Sequence, residues 1–320
     1  MLKYAANRLA QGIAAMFVIV TVVFFLGRVG GDSAALMAPP DATPAQIAQV
    51  RAHLGLDRPL IVQYGSYLHG VVTGDLGQST NYNQGVLGLV APAMVNTARL
   101  ALTAFVIALL VGLLLGAVAG MRAGGRWDSA IRIISVLGQS VPSFWLGMLL
   151  VLAFAVNLNW LPAFGSTGFR SLILPACALA AFPMASIARL TRSAVLEIAG
   201  KDQTLFERSK GVGNGLLMVH ILRNASLPVV TLAGIQLGAM FSGTIVIENI
   251  FAWPGVGQLA IQAITSKDYA LVQGIVIINT LVFVGLLFLV DLSYGWLDPR
   301  VRVARRRQRR DVTRTMEVPA

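Results

Sequence analysis

The stretch Leu100-Ala101-Leu102-Thr103-Ala104-Phe105-Val106-Ile107-Ala108-Leu109-Leu110-Val111-Gly112-Leu113-Leu114-Leu115-Gly116-Ala117-Val118-Ala119-Gly120 runs for 21 residues without one charged side chain. A helix that crosses the hydrocarbon core of a bilayer needs about 20 mostly apolar residues. Working outward, the same kind of segment recurs, at about 9–28, 98–121, 131–157, 172–194, 227–248 and 271–295. The whole chain has 320 residues, 56% hydrophobic and 12% charged. Soluble globular proteins carry about 25% charged residues. Length alone suggests two soluble domains, but a soluble core cannot hide this much apolar surface, so lipid must solvate part of it. The sequence therefore predicts an all-α integral membrane protein of six transmembrane helices. Pro175 and Pro183 interrupt the fourth segment, which a membrane helix tolerates where neighbours satisfy the freed carbonyls. The first apolar run, Leu9 to Leu26, is longer than a signal-peptide core of about 7–15 residues. No clear A-x-A cleavage site follows it, and an uncleaved first span is expected.

Lysine and arginine placement sets the orientation. With a cytoplasmic N-terminus, the inner segments hold Lys3, Arg8, Arg122, Arg126, Arg132, Arg189, Arg192, Lys201, Arg208, Lys210, Arg223 and the arginines from Arg300 to Arg314. The outer segments hold only Arg28, Arg51, Arg58, Arg99, Arg170 and Lys267. Both termini are expected in the cytoplasm. The net charge of +11 is spread over short segments between apolar runs, which argues against a nucleic-acid partner. The tail Arg305-Arg306-Arg307-Gln308-Arg309-Arg310 suits anionic membrane lipid, where each basic residue contributes about 1 kcal/mol. The one cysteine, Cys177, lies in an apolar stretch and has no partner for a disulfide within the chain.

Between the first two spans lies a polar stretch from Gly31 to Asn96, read as a small external subdomain. Thr43 is placed to cap a helix whose first turn holds Pro44, running to about Leu54 and stopping at Gly55. A second short helix is expected over Pro59 to Val72. His53 and His69 are read as loop surface residues.

The inner loop between the fourth and fifth spans reads Lys201-Asp202-Gln203-Thr204-Leu205-Phe206-Glu207-Arg208-Ser209-Lys210-Gly211. Residues 202–210 can form a short helix that exposes Leu205 and Phe206, and Gly211 would end it in a left-handed conformation. Such anchors suit either docking in a groove of a cytosolic partner or rest on the lipid surface. A second helix then leads back to the membrane, and Pro228 is expected to open the fifth span. Pro142 should kink the third span, which places Gln139, Ser140 and Ser143 as polar groups lining a pathway or satisfying freed carbonyls. Glu248 is a candidate for an outer gate, and Asp291 for pairing with an inner arginine. Trp253-Pro254-Gly255 reads as a tight turn outside the fifth span that shapes a short re-entrant or outer element. No G-x-x-x-x-G-K-[ST] phosphate loop occurs, and the three histidines are scattered, so ATP hydrolysis, a metalloprotease and a serine hydrolase have no candidate constellation.

These segments together resemble the membrane subunits of binding-protein-dependent ABC importers, in particular the B-type permease of the dipeptide, oligopeptide and nickel systems. Gly211 and Leu227-Pro228 match the glycine and the closing pair of that family's cytoplasmic signature. The E-A-A triplet is replaced by Leu205-Phe206-Glu207, while Arg208-Ser209-Lys210-Gly211 resembles the R-A-K-G of the peptide branch. The motifs Leu54-Gly55-Leu56-Asp57-Arg58-Pro59-Leu60, Gly74-Asp75-Leu76-Gly77, Val141-Pro142-Ser143-Phe144-Trp145-Leu146-Gly147, Phe251-Ala252-Trp253-Pro254-Gly255-Val256-Gly257 and Leu297-Asp298-Pro299-Arg300 follow in that branch's order. The resemblance implies the type I ABC importer permease fold: an N-terminus and first span over 1–30, an external subdomain over 31–96, a permease core over 97–297 with a coupling loop at 195–226, and a basic tail over 298–320. It implies a non-catalytic subunit, with ATP and Mg bound by two cytosolic ATPase subunits and no cofactor in this chain. A second, homologous permease and a periplasmic or lipid-anchored binding protein would complete the complex in the bacterial inner membrane. Coupling would pass through Leu205, Phe206, Glu207, Arg208, Ser209, Lys210 and Gly211. Peptide is the implied cargo, with nickel, haem or glutathione as alternatives. A membrane enzyme or a stand-alone channel are the rivals from other classes.

Overall fold

A computed structural model describes residues 2–29, 42–53 and 55–297. The basic tail, most of the 297–300 motif, Leu54, the 30–41 part of the outer stretch and the side chain of Asp291 lie outside the described residues. Eleven helices follow one another: α1 (Leu2–Val29), α2 (Pro44–His53), α3 (Leu60–Thr73), α4 (Val86–Met121), α5 (Arg126–Ser140), α6 (Ser143–Leu150, continued by a π-helical stretch Val151–Asn157), α7 (Phe169–Ala199), α8 (Asp202–Ser209), α9 (Asn214–Ile250), α10 (Val256–Thr265) and α11 (Tyr269–Leu297). No strand occurs among the described residues. Four helices, α1, α4, α7 and α11, are each long and apolar enough to cross a membrane. Two further apolar pairs are bent, each a broken span or a re-entrant element: α5 with α6 at 106°, and the two halves of α9 at 54° around Pro228. Four to six passages result, and six, the number the composition predicts, if each bent pair is one span.

The closest helix pair is α4 against α7. Between helices already in lipid no hydrophobic gain drives association, so small residues that let backbones approach take over. Gly112, Gly116 and Gly120 supply this on α4. A Cβ at Gly116 would meet the carbonyl oxygen of Ala188 at 2.5 Å, and one at Gly112 would meet that of Met184 at 2.8 Å. The facing α7 is built from buried alanines, among them Ala176, Ala180, Ala185 and Ala188. This seam continues into the main core, where Leu100, Ile187, Val229, Met240, Ile247 and Phe251 pack together.

Helix α4 begins earlier than the sequence suggests, at Val86 rather than about 98. Val86, Val90 and Ala93 recur at helical spacing and pack on Val256 and Ala263 of α10 and on Leu271 and Ile275 of α11. Tertiary burial of that stripe extends the helix through residues whose local polarity reads as external. Likewise α9 is one helix from Asn214, and Pro228 bends it instead of opening it.

The two short helices between the first spans match their sequence signals. Thr43 and Gln46 form a reciprocal cap: the Thr43 N–H donates to Gln46 Oε1 at 2.8 Å and the Gln46 N–H to Thr43 Oγ1 at 3.4 Å. Gly55 takes φ +65° after α2. Helix α3 is braced on α1, with Tyr64 OH 2.7 Å from Thr21 Oγ1, Arg28 donating twice to Gln63 Oε1, and Phe24 stacked edge-on against Tyr64. Burial between these helices pushes the Tyr67 hydroxyl up to about 12. His69 is exposed, but on helix α3 and not in a loop.

Candidate functional site

The coupling segment is a short helix held at both ends. Helix α8 spans Asp202–Ser209, and Gly211 after it takes φ +77°, the left-handed turn its position demands. Thr204 is the buried residue of α8, and its hydroxyl donates to the Ile198 carbonyl at 2.7 Å, pinning α8 under the end of α7. Glu207 meets His220 Nδ1 at 2.9 Å, tying α8 to α9. That hydrogen bond holds the Glu207 carboxyl below its ordinary range. Val195, Leu217 and Ile221 form a small apolar core beneath the segment. The outward face is left free: Leu205 is 51% and Phe206 59% exposed, and the Lys210 ammonium lies 4.3 Å from the centre of the Phe206 ring.

The bent crossing brings the next set together. The 106° break between α5 and α6 falls at Val141-Pro142, where Pro142 has no N–H to give to the preceding turn. Ser140 and Pro142 are exposed, and Ser143 is half-buried. The side-chain amide nitrogen of Gln139 is buried with no hydrogen-bond partner. Four predicted pathway residues thus share one corner, and polar groups stand open there.

Glu248, the fifth, lies elsewhere. It is fully buried, so it faces no open space. Its carboxylate accepts from the Thr97 hydroxyl at 2.6 Å and from the N–H groups of Gly257 at 2.6 Å and Gln258 at 3.2 Å. Those N–H groups are free donors of the first turn of α10, so Glu248 caps that helix from a distance. Thr97 Oγ1 in turn accepts from Val256 N–H at 2.9 Å. The turn Trp253-Pro254-Gly255 is locked beside it: Trp253 Nε1 donates to the Asn96 carbonyl and Asn96 Nδ2 to the Pro254 carbonyl, both at 3.0 Å. Gly255 has no room for a Cβ because the Glu248 carboxylate occupies the space. The turn therefore shapes a short element, the helix α10.

Two acids escape the sequence reading. Asp128, 1% exposed, takes a bidentate pair from Arg192 at 2.6 and 2.9 Å and the Gly124 N–H at 3.0 Å. Asp268, fully buried, accepts from the Ser79 hydroxyl and the Asn81 N–H and caps α11 through the Leu271 N–H at 3.1 Å. For Asp268 a signal exists, an aspartate three residues before a helical N–H. For Asp128 it is an acid set among Arg122, Arg126 and Arg132. Among the described residues no group of three or more His, Cys, Asp or Glu could hold a metal ion.

Comparison with known proteins finds membrane components of transport systems. Residues 108–303 match the family described as binding-protein-dependent transport system inner membrane component, and residues 1–113 match that family's N-terminal region. The chain belongs to this family. It is an ABC importer permease. A peptide transport system permease protein of Brucella abortus is 40% identical over 92% of this chain and 98% of its own length. The dipeptide transport system permease protein DppB of Alkalihalophilus pseudofirmus is 34% identical over 94% of this chain and all of its own length. The glutathione transport system permease protein GsiC of Escherichia coli is 36% identical over 94% and 99%. A solved structure of the MetNI methionine ABC transporter in inward-facing form shares the fold, with a TM-score of 0.55 at 16% identity over 66% of this chain and 97% of that chain.

Proposed function

We propose that this permease moves peptides across the bacterial inner membrane by alternating access, as half of a pathway completed by a second, homologous permease. Cytosolic ATPases bind ATP and Mg, grip α8, and tilt the spans; an external binding protein delivers the cargo. Both termini lie in the cytoplasm in this arrangement, as the lysine and arginine distribution supports. The observation that carries the coupling role is the pair Leu205 and Phe206, two large apolar side chains exposed on a helix whose other face is fixed to α7 and α9. A helix that only rested on lipid would not need both anchors. The contact surface would extend over Arg208, Ser209 and Lys210, and the pathway over Ser140, Pro142 and Ser143, while Gln139 turns its amide to the space between α5 and α7. Peptide cargo is supported by the names of the relatives from Brucella and Alkalihalophilus. Glutathione is the second reading, supported by the Escherichia coli relative.

The test is the double variant Leu205→Asp, Phe206→Asp in the assembled transporter, reconstituted in proteoliposomes. Uptake should fall at least about tenfold, the equivalent of about 1.4 kcal/mol of coupling, while membrane insertion and assembly of the two permeases persist. Wild-type uptake in that variant would refute the docking role. Titration of the cognate binding protein with dipeptides, oligopeptides, glutathione and nickel separates the cargoes.

A further inference from the structure

Helices α5 and α7 leave a cavity of about 220 Å³ between them on the Gly211 side of the bundle. Its rim carries three guanidinium groups, those of Arg132, Arg189 and Arg192. Only one carboxylate answers them. Asp128 is committed to Arg192 at 2.6 Å and lies 3.6 Å from Arg132. Arg189 makes no ion pair among the described residues. The cavity thus holds a surplus of two positive charges. It also holds an unused donor, since the Gln139 amide nitrogen on its wall is buried without a partner.

The rest of the wall is Ser135 and the apolar Ile131, Val136 and Ala188. On the same helix Ile133, Ile134, Val136 and Leu137 stand exposed. A site that is cationic at one end and opens onto exposed aliphatic side chains matches a molecule with an anionic head and an apolar tail. Its depth agrees. A rise of about 1.5 Å per residue places Arg189 about 30 Å along α7 from Phe169, one hydrocarbon thickness. The arginines therefore sit at a membrane–water boundary, where basic pockets between helices hold lipid head groups.

We infer that the α5–α7 cleft binds the phosphate of an anionic phospholipid from the leaflet on the Gly211 side. Arg189 and Arg132 grip the phosphate, the Gln139 amide donates to it, and the acyl chain runs over Val136 and its neighbours. Arginine suits this task because its planar fork matches phosphate in a two-point contact. The site sits against the base of the coupling machinery, since Arg192 and Asp128 join α7 to the α4–α5 turn. The inference does not depend on which solute the permease carries.

The experiment uses the assembled transporter in phosphatidylcholine nanodiscs doped with spin-labelled phosphatidylglycerol or spin-labelled phosphatidylcholine. Wild type should immobilise the phosphatidylglycerol label with a preference of about tenfold or more, and Arg132→Gln and Arg189→Gln should each weaken it about fivefold, matching about 1 kcal/mol per basic residue. Arg170→Gln, on the far side, should not change it. Raised salt should lower the preference of the unaltered protein, which tests the idea without any substitution. Four results of these measurements would overturn it: equal immobilisation of both lipids, an unchanged preference in both arginine variants, salt independence, or displacement of the label by a millimolar dipeptide. The last would mean that the cleft takes a cargo carboxylate. Cross-linking of Val136→Cys to the second permease would also overturn it, by showing a protein seated there.

Discussion

At the scale of single residues, the acids are the structural joints. Glu248 takes one hydroxyl and two N–H donors in a region shielded from water. Removing the carboxylate leaves those donors unmet, and hydrogen bonds to charged groups contribute about 1.5–3 kcal/mol each. Glu248→Ala should therefore lower the thermal midpoint of the purified complex by several degrees, with Glu248→Gln falling between. An alanine variant that melts like wild type would show the cap to be dispensable. Sequence made some of these residues legible and not others. Gly211 and the Thr43–Gln46 cap are local, with every partner within a few positions. Asp268 meets Ser79 across 189 positions, and Asp128 meets Arg192 across 64. A pairing over that distance leaves no trace in spacing. Glu248 was visible as an acid in a span, but its role as a helix cap depends on α10 folding back beneath it.

At the scale of helices, the α4–α7 seam decides whether the bundle forms. Gly116→Leu would drive a side chain into the Ala188 carbonyl and Thr191, with overpacking of about 1–3 kcal/mol or more. Such a chain should lose its monodisperse peak in detergent gel filtration. Gly88→Leu on the same helix meets nothing within 4 Å and should elute as wild type. If both behaved alike, close backbone approach would not be what joins these helices. The spans were legible because composition alone reports them, and the corner at Pro142 because proline removes a donor wherever it stands. The first three turns of α4 were not. Their apolar face is visible at 86, 90 and 93, but its burial depends on α10 and α11, which lie far along the chain.

At the scale of the whole molecule, the stretch between α3 and α4 is bound to the bundle and not hung from it. Asp268 holds Ser79 and Asn81 while capping α11. Asp268→Ala should free residues 74–85, so limited proteolysis of the purified complex should cut there at least about fivefold faster, the equivalent of about 1 kcal/mol of local opening. An unchanged cleavage rate would place the clip elsewhere.

The interlock of Gly112, Gly116 and Gly120 with α7 has a mechanical consequence. One end of that welded pair carries the pin at Thr204, and the other carries Thr97, which holds the base of α10. If the pair moved as one beam, a push at one end would reappear at the other as a tilt of nearly equal angle. The friction in each stroke would then arise where the beam slides past its neighbours, and turnover speed could be tuned by surfaces this chain shares with others while its own interior stays untouched.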